Sequence, residues 1–173
     1  MTEVKEMVAS AVVHRVERLP IVTRARDLRD ITRDVERWLE SFHADDGLLT
    51  VMIQHTSASL VLQENADPTI VQDLLAALER FAPDDETYTH RGSGADSMPA
   101  HIRAMLTQPS VSIPVHEGLL MLGRRQGLFV AEHRTSPQPR DIAVHFAGTQ
   151  RAATDGRRAK MTGSAFASAW ATS

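Results

Sequence analysis

Residues 48–62 have the sequence LLTVMIQHTSASLVL, which contains two apolar runs separated by a short polar segment. The first run, Leu48 to Ile53, is nearly continuous in apolar residues and predicts a strand buried on both faces. The second run, Ser59 to Leu62, predicts another strand. The intervening residues 54–57 are polar and follow a strand end, where side chains from several segments can converge on a pocket.

The segments on either side predict both helices and strands. Residues 8–18 predict a first strand, and the apolar spacing over residues 27–43 predicts an amphipathic helix. A second helix is expected to begin at Asp67 and Pro68 and to end before Pro83, because Asp caps free amides and Pro fits the first turn.

The second half of the chain predicts one short helix and several strands. The helix is expected over residues 98–107. Strands are expected at residues 110–115, 119–122, 128–131 and 142–146. The short turns between these strands favour consecutive antiparallel neighbours.

This order of elements predicts an α+β fold rather than alternating α/β. We expect one compact domain over residues 1–150, a mostly antiparallel sheet or sandwich with three helices. Residues 151–173 are rich in Ala, Ser, Thr, Arg and Gly and predict a flexible or loosely helical tail.

The composition limits the possible functions of the 173-residue chain. A net charge of −3 provides no electrostatic basis for binding nucleic acid, and the absence of cysteine excludes disulfides and thiolate chemistry. No apolar stretch approaches the roughly 20 residues that cross a bilayer, and the N-terminus has no signal-peptide core. We therefore expect a cytoplasmic protein without nucleic-acid or membrane partners.

Polar residues near the first two predicted strands are candidates for chemistry. His55 can hold a metal or move a proton, and the hydroxyls of Thr56 and Ser57 can donate hydrogen bonds to an anion. Glu64 is expected at a strand end, where apolar surroundings raise the pKa of a carboxyl group. Such a carboxyl group suits a general acid or base, or a magnesium ligand. The alternative for His55 is a partly buried side chain that is hydrogen-bonded to a backbone carbonyl. The alternative for Glu64 is a surface residue that precedes a turn.

The stretch over residues 90–101 has the highest density of candidate residues. Glycines such as Gly94 before a helix let backbone amides approach an anion, and Arg91 can add a bidentate phosphate contact. Asp96 or Ser97 is expected to cap the helix. The alternative is a flexible loop before a capped helix.

Two histidines flank this loop. His101 lies one turn into the predicted helix and can point back toward His90. The pair can supply metal ligands, although its spacing is not a known metal signature.

Seven short motifs occur in a fixed order along the chain. They are His55-Thr56-Ser57-Ala58-Ser59-Leu60, Glu64-Asn65-Ala66-Asp67-Pro68-Thr69, Gly94-Ala95-Asp96, Met98-Pro99-Ala100-His101-Ile102, Pro114-Val115-His116, Gln126-Gly127 and Glu132-His133-Arg134. This series resembles the YjbQ-like family, also called the secondary thiamine-phosphate synthase family, over roughly residues 8–148.

The resemblance implies a compact α+β fold, a homotrimer with a pocket near the subunit interfaces, and a weak, promiscuous thiamine-phosphate synthase activity. That reaction joins an aminopyrimidine diphosphate to a thiazole phosphate and releases pyrophosphate. The polar positions that match the family are His55, Ser57, Glu64, His90, Asp96, His101, Gln126 and Glu132. Members usually carry Thr-Trp where this chain has Arg124 and Arg125, which replaces a stacking ring with charge suited to a phosphate.

For such a reaction, magnesium and positive groups are expected to stabilise the departing pyrophosphate. Glu64 and Asp96 are candidate magnesium ligands, Arg91 or the loop amides would contact phosphate, and His101 or His90 would be the acid.

Two other functions are consistent with the same residues. The first is a trimeric protein that binds a small phosphorylated metabolite, in which His55, His90 and His101 hold zinc. The second is a hydrolase or lyase that acts on another phosphorylated substrate.

Overall fold

A computed structural model describes residues 11–90, 92 and 94–151 of the chain. The elements are β1 (Val13–Val22), β2 (Leu28–Asp30), α1 (Thr32–Ser41), β3 (Ala44–Ile53), β4 (Ala58–Glu64), α2 (Pro68–Phe81), α3 (Ser97–Leu106), β5 (Ser110–His116), β6 (Leu119–Leu120), β7 (Gln126–Glu132) and β8 (Pro139–Gln150). The predicted α+β class with three helices is confirmed. Residues 152–173 of the predicted tail lie outside the described residues.

The strands form two antiparallel sheets, of order β1-β8-β3-β5-β6 and β2-β7-β4. The prediction that the last four strands are consecutive neighbours is therefore wrong except for β5 and β6. Both faces of β7 are buried, because Leu128 and Val130 pack into the main core while Phe129 and Ala131 pack with residues of α2. A strand with two apolar faces takes a central position between other layers, whichever strand follows it in sequence.

The predicted helix over residues 27–43 begins later than expected. Leu28 has helical spacing to the following apolar residues, but it belongs to β2 and pairs with Ala131 of β7. The Asp30 carboxylate then accepts a hydrogen bond from the Thr32 amide at 2.8 Å, at the start of α1. The long-range pairing with β7 overrides the local helical pattern.

The prediction that β3 is buried on both faces is also wrong. Leu49, Val51 and Ile53 are buried, whereas Leu48 and Met52 are 46% and 50% exposed. The strand alternates in burial, so one face of the five-stranded sheet points away from the core of this chain.

The predicted start of α2 is confirmed, because the carboxylate of Asp67 accepts a hydrogen bond from the Thr69 amide at 2.9 Å. At α3, Asp96 occupies the N-cap position, but its side chain makes no capping hydrogen bond. Among the described helices, none is long and apolar enough to cross a membrane.

Candidate functional site

The candidate site centres on His101, near the start of α3. Its Nδ1 atom lies 3.0 Å from the carbonyl oxygen of Thr56, in the segment between β3 and β4. Because a carbonyl can only accept, Nδ1 must carry a hydrogen, and Nε2 of the neutral ring has a lone pair. The fixed tautomer suits His101 to transferring a proton at Nε2.

His90 lies beside His101. Their ring centroids are 5.5 Å apart with an angle of 65° between the ring planes. This confirms the expectation that His101 points back toward His90. Nε2 of His90 is 3.3 Å from the hydroxyl oxygen of Ser97 at the beginning of α3. His90 also lines a cavity of about 370 Å³, together with Tyr88, Gly94 and four other residues.

Asp96 anchors the loop that precedes α3. Its carboxylate accepts hydrogen bonds from Nε and Nη2 of Arg134 and from the amide and hydroxyl of Thr135. Burial alone would raise the pKa of Asp96, but these hydrogen bonds outweigh burial and hold the pKa well below its usual range. Gly94, two residues before it, has a φ of 121°, which favours glycine.

His55 is held by the backbone of β8. Its Nε2 atom accepts a hydrogen bond of 2.8 Å from the amide of Asp141, so the proton of the neutral ring is on Nδ1. Burial lowers the pKa of His55, and the positive charge of Arg140 lowers it further. Its Nε2 lone pair is thus already used within the chain.

Glu132 and Arg140 form a buried ion pair beneath the segment over residues 55–57. Glu132 has no exposed surface and accepts hydrogen bonds from Arg140 Nε at 2.7 Å and Thr23 Oγ1 at 2.6 Å. Burial opposes ionisation of Glu132, but the hydrogen bonds from Arg140 and Thr23 lower its pKa overall. Arg140 in turn donates to the carbonyl of Ser57 at 3.4 Å. Glu132 is therefore a positioning residue rather than a ligand contact.

Thr56 and Ser57 also contact the site through their backbone. Their backbone carbonyls, rather than their hydroxyls, contact the side chains of His101 and Arg140. Arg91, the predicted phosphate contact, lies outside the described residues.

Glu64 and Gln126 lie away from this site. They pair with each other at one end of β4 and β7, whereas Ala58 pairs with Glu132 at the other end. Six residues of strand separate the two ends, roughly 20 Å at about 3.3 Å per residue. Glu64 contacts Arg125 at 3.2 Å instead.

The predicted metal sites are not assembled within one chain. Glu64 lies far along β4 from the imidazole pair, and the carboxylate of Asp96 is engaged by Arg134 and Thr135. In the part of the chain that the structure describes, no group of three His, Asp or Glu side chains is arranged to hold a metal ion. The residues therefore fit neither the magnesium pair nor the set of three histidines within one chain.

Sequence reasoning missed the roles of two charged residues that support the site, Arg103 and Arg134. Arg103 and His133 are almost fully buried, and Nε2 of His133 lies 2.8 Å from the hydroxyl oxygen of Ser59. The signal available in the sequence was the run Glu132-His133-Arg134, which continues an apolar strand without a turn residue.

Residues 17–149 match the model of the family described as UPF0047 protein YjbQ-like. The chain belongs to this family. UPF0047 protein sll1880 of Synechocystis sp. is 41% identical over 145 residues, which cover 82% of this chain and 99% of that protein. UPF0047 protein YjbQ of Escherichia coli O157:H7 is 36% identical over 131 residues, covering 75% and 95% of the two chains.

Solved structures of YjbQ-like proteins have the same fold. An uncharacterized conserved protein of the family from Clostridium acetobutylicum matches with a TM-score of 0.69 and 30% identity, and the match covers 75% of this chain and 98% of that one. The family resemblance seen in the sequence motifs is therefore confirmed, together with its fold.

Proposed function

We propose that this YjbQ-like protein is a weak thiamine-phosphate synthase, which joins an aminopyrimidine diphosphate to a thiazole phosphate and releases pyrophosphate. The observation that supports this best is the contact between the rings of His101 and His90, since His90 lines a cavity of about 370 Å³. The cavity is of a size that small metabolites occupy.

In this reaction, the bond between a benzylic-type carbon and a diphosphate oxygen breaks, and negative charge develops on the departing group. A positioned imidazolium can donate a proton to that oxygen as it leaves. His101 is the proposed donor, through Nε2, because its Nδ1 is committed to the carbonyl of Thr56. His90 is the proposed contact to phosphate. Among the described residues of one chain, no side chains are arranged to hold a metal ion, so the proposed roles are those of the two histidines alone.

We propose that the active form is a homotrimer. The outward face of the five-stranded sheet supports this, because Val16, Leu48 and Met52 on that face are 74%, 46% and 50% exposed. Val16 lies on β1, and Leu48 and Met52 lie on β3, so these exposed apolar side chains flank β8 in the sheet. Exposed apolar surface of this kind is often covered by other subunits. Each further copy would remove such a surface from water.

The test is formation of thiamine phosphate from the two substrates, with magnesium supplied as the usual counterion of the diphosphate. We expect His101→Gln to lower the rate by about 100-fold or more, since general acid catalysis contributes about that much. His43→Asn is the matched control, because His43 is exposed, remote from the cavity lining and has a φ of 55°, which Asn tolerates.

A rate unaffected by His101→Gln and His90→Gln would contradict the proposed roles. Absence of turnover combined with saturable binding of either substrate would instead favour the alternative, a phosphometabolite-binding protein without synthase activity. Absence of both turnover and binding would reject the proposed substrate class.

A further inference from the structure

Two further histidines meet on the outward face of the five-stranded sheet. His14 lies on β1 and His145 lies on β8, and these strands pair in one unbroken antiparallel register. His145 is directly opposite Val16, so His14 is its diagonal neighbour on the same face. Neither histidine lines the cavity beside His90. The pair is thus separate from the site assigned to synthase activity.

The two imidazoles meet nitrogen to nitrogen. Nδ1 of His14 lies 3.2 Å from Nε2 of His145. The ring planes differ by 13° and the centroids are 5.5 Å apart, so the rings meet edge to edge in nearly one plane. Among the described residues, neither ring has another hydrogen-bond partner. In the neutral pair, one of these nitrogens therefore donates a hydrogen and the other accepts it.

The sheet holds the two backbones at this separation. β8 pairs with β1 on one side and with β3 on the other, where His145 is opposite Thr50. The hydroxyl oxygen of Thr50 lies 3.4 Å from that of Ser112, so it is engaged away from the histidines. Because the strands are fixed by pairing, little ordering of the chain is needed for a ligand that contacts both rings.

The separation of the two nitrogens matches that of two ligands on one tetrahedral metal ion. With zinc–nitrogen bonds of about 2.0–2.1 Å, two such ligands lie about 3.3 Å apart. An ion would lie beside the line that joins the nitrogens, so each ring must turn slightly about its outer torsion, which is broad for histidine. His14 is exposed and His145 is half-buried, so an ion in water can reach the pair.

The surroundings of the pair favour a transition metal over magnesium. Imidazole nitrogen suits zinc, copper and nickel, whereas magnesium prefers oxygen ligands. On the same face of β1 and β8, Arg18 and Asp141 are 3.9 Å apart, so their charges compensate each other. Within the described residues, no third His, Asp or Glu side chain joins the pair. The two imidazoles would therefore be the protein's whole contribution from one chain.

We propose that His14 and His145 bind one divalent transition-metal ion, zinc or copper, per chain. Nδ1 of His14 and Nε2 of His145 are the ligands, and the ring that donates in the metal-free pair changes to its other tautomer, so that both lone pairs face the ion. The other coordination positions belong to water or, in the proposed trimer, to a neighbouring copy. Both histidine ligands come from one chain, so binding depends on neither the trimer nor synthase activity.

Calorimetric titration of the full chain, purified without a polyhistidine tag, tests the proposal. We expect one zinc ion to bind per chain and magnesium chloride to give no binding. His145→Gln is expected to weaken zinc binding by about tenfold or more, since it removes one of two protein ligands. His43→Asn is the matched control, because His43 is an exposed histidine outside the pair. His101→Gln should also leave zinc binding unchanged.

Electron paramagnetic resonance of the copper(II)-loaded chain gives a second readout that does not depend on affinity. The spectrum should show two coordinated imidazole nitrogens in wild type and one in His14→Gln, which alters an exposed position. Absence of zinc binding, equal binding of magnesium, or zinc binding unchanged in both His14→Gln and His145→Gln would overturn the proposal. Loss of zinc binding in His101→Gln would likewise overturn it, by assigning the ion to the other pair of histidines.

Discussion

Arg134 holds Asp96 through two parallel hydrogen bonds, from Nε to Oδ2 and from Nη2 to Oδ1, each 3.0 Å long. This ion pair connects the segment after β7 to the first residue before α3. His101 lies one turn into α3, so the pair anchors the start of the helix that carries its imidazole. A carboxylate predicted to bind a metal thus has a positioning role instead.

Asp96→Asn is expected to destabilise the protein by about 2 kcal/mol at pH 7, since it weakens charge-assisted hydrogen bonds. The folded pKa of Asp96 lies below the unfolded value of about 3.9, so its stabilisation is present above that pH and is lost as pH falls toward the folded pKa. Urea unfolding at several pH values measures this. Asp85→Asn, at an exposed position, should have little effect, and equal effects of both substitutions would contradict the assignment.

Removing one member of the Glu132–Arg140 pair is expected to destabilise the fold strongly, because the other member is left buried without its partner. Glu132→Gln should cost about 3 kcal/mol or more, because Arg140 is left as a buried, poorly paired cation. The double variant Glu132→Gln, Arg140→Met should lose less free energy of unfolding than the two single variants lose in sum. Denaturant unfolding of the three variants checks this, and strict additivity would show that the two groups do not interact.

His133 should make stability fall in mild acid. Burial holds its folded pKa at about 4, against an ordinary value of 6.5, so the unfolded chain binds the proton more readily. Stability associated with His133 is therefore present above about pH 6.5 and is lost as pH falls toward 4, by roughly 3 kcal/mol.

Thermal or urea unfolding between pH 4 and pH 7 tests the role of His133. His133→Gln should flatten the profile, whereas His43→Asn should leave its slope unchanged. An equally steep profile in His133→Gln would assign the acid sensitivity to another group.

The proposed trimer predicts a specific response to charge on the outward sheet face. Met52→Glu places a carboxylate on the outward face of the sheet and is expected to yield monomers in sedimentation experiments, since burying an unpaired charge is costly. Met105→Glu is the matched control, because Met105 is 77% exposed on α3. If wild type is itself monomeric, or if Met52→Glu leaves a trimer intact, the proposed interface is wrong.

Local patterns predicted those elements whose signals are contained within a few residues. The capped start of α2 at Asp67 and Pro68 is one, and the alternation that marks β5 is another. The β2 strand was missed because its three residues become a strand only by pairing with β7, about 100 residues later. A helical spacing of apolar residues cannot reveal such a partner.

The candidate site divides in the same way. The sequence by itself determined the family and the α+β class, and it places His90 and His101 only 11 residues apart, so that they can meet. Only the tertiary structure decided that Glu64 lies at the far end of β4 and that Asp96, Glu132 and His55 use their polar atoms within the chain. The physical reason is that hydrogen bonds over long sequence separations depend on which strands pair, and pairing is selected by burial of whole faces rather than by local spacing.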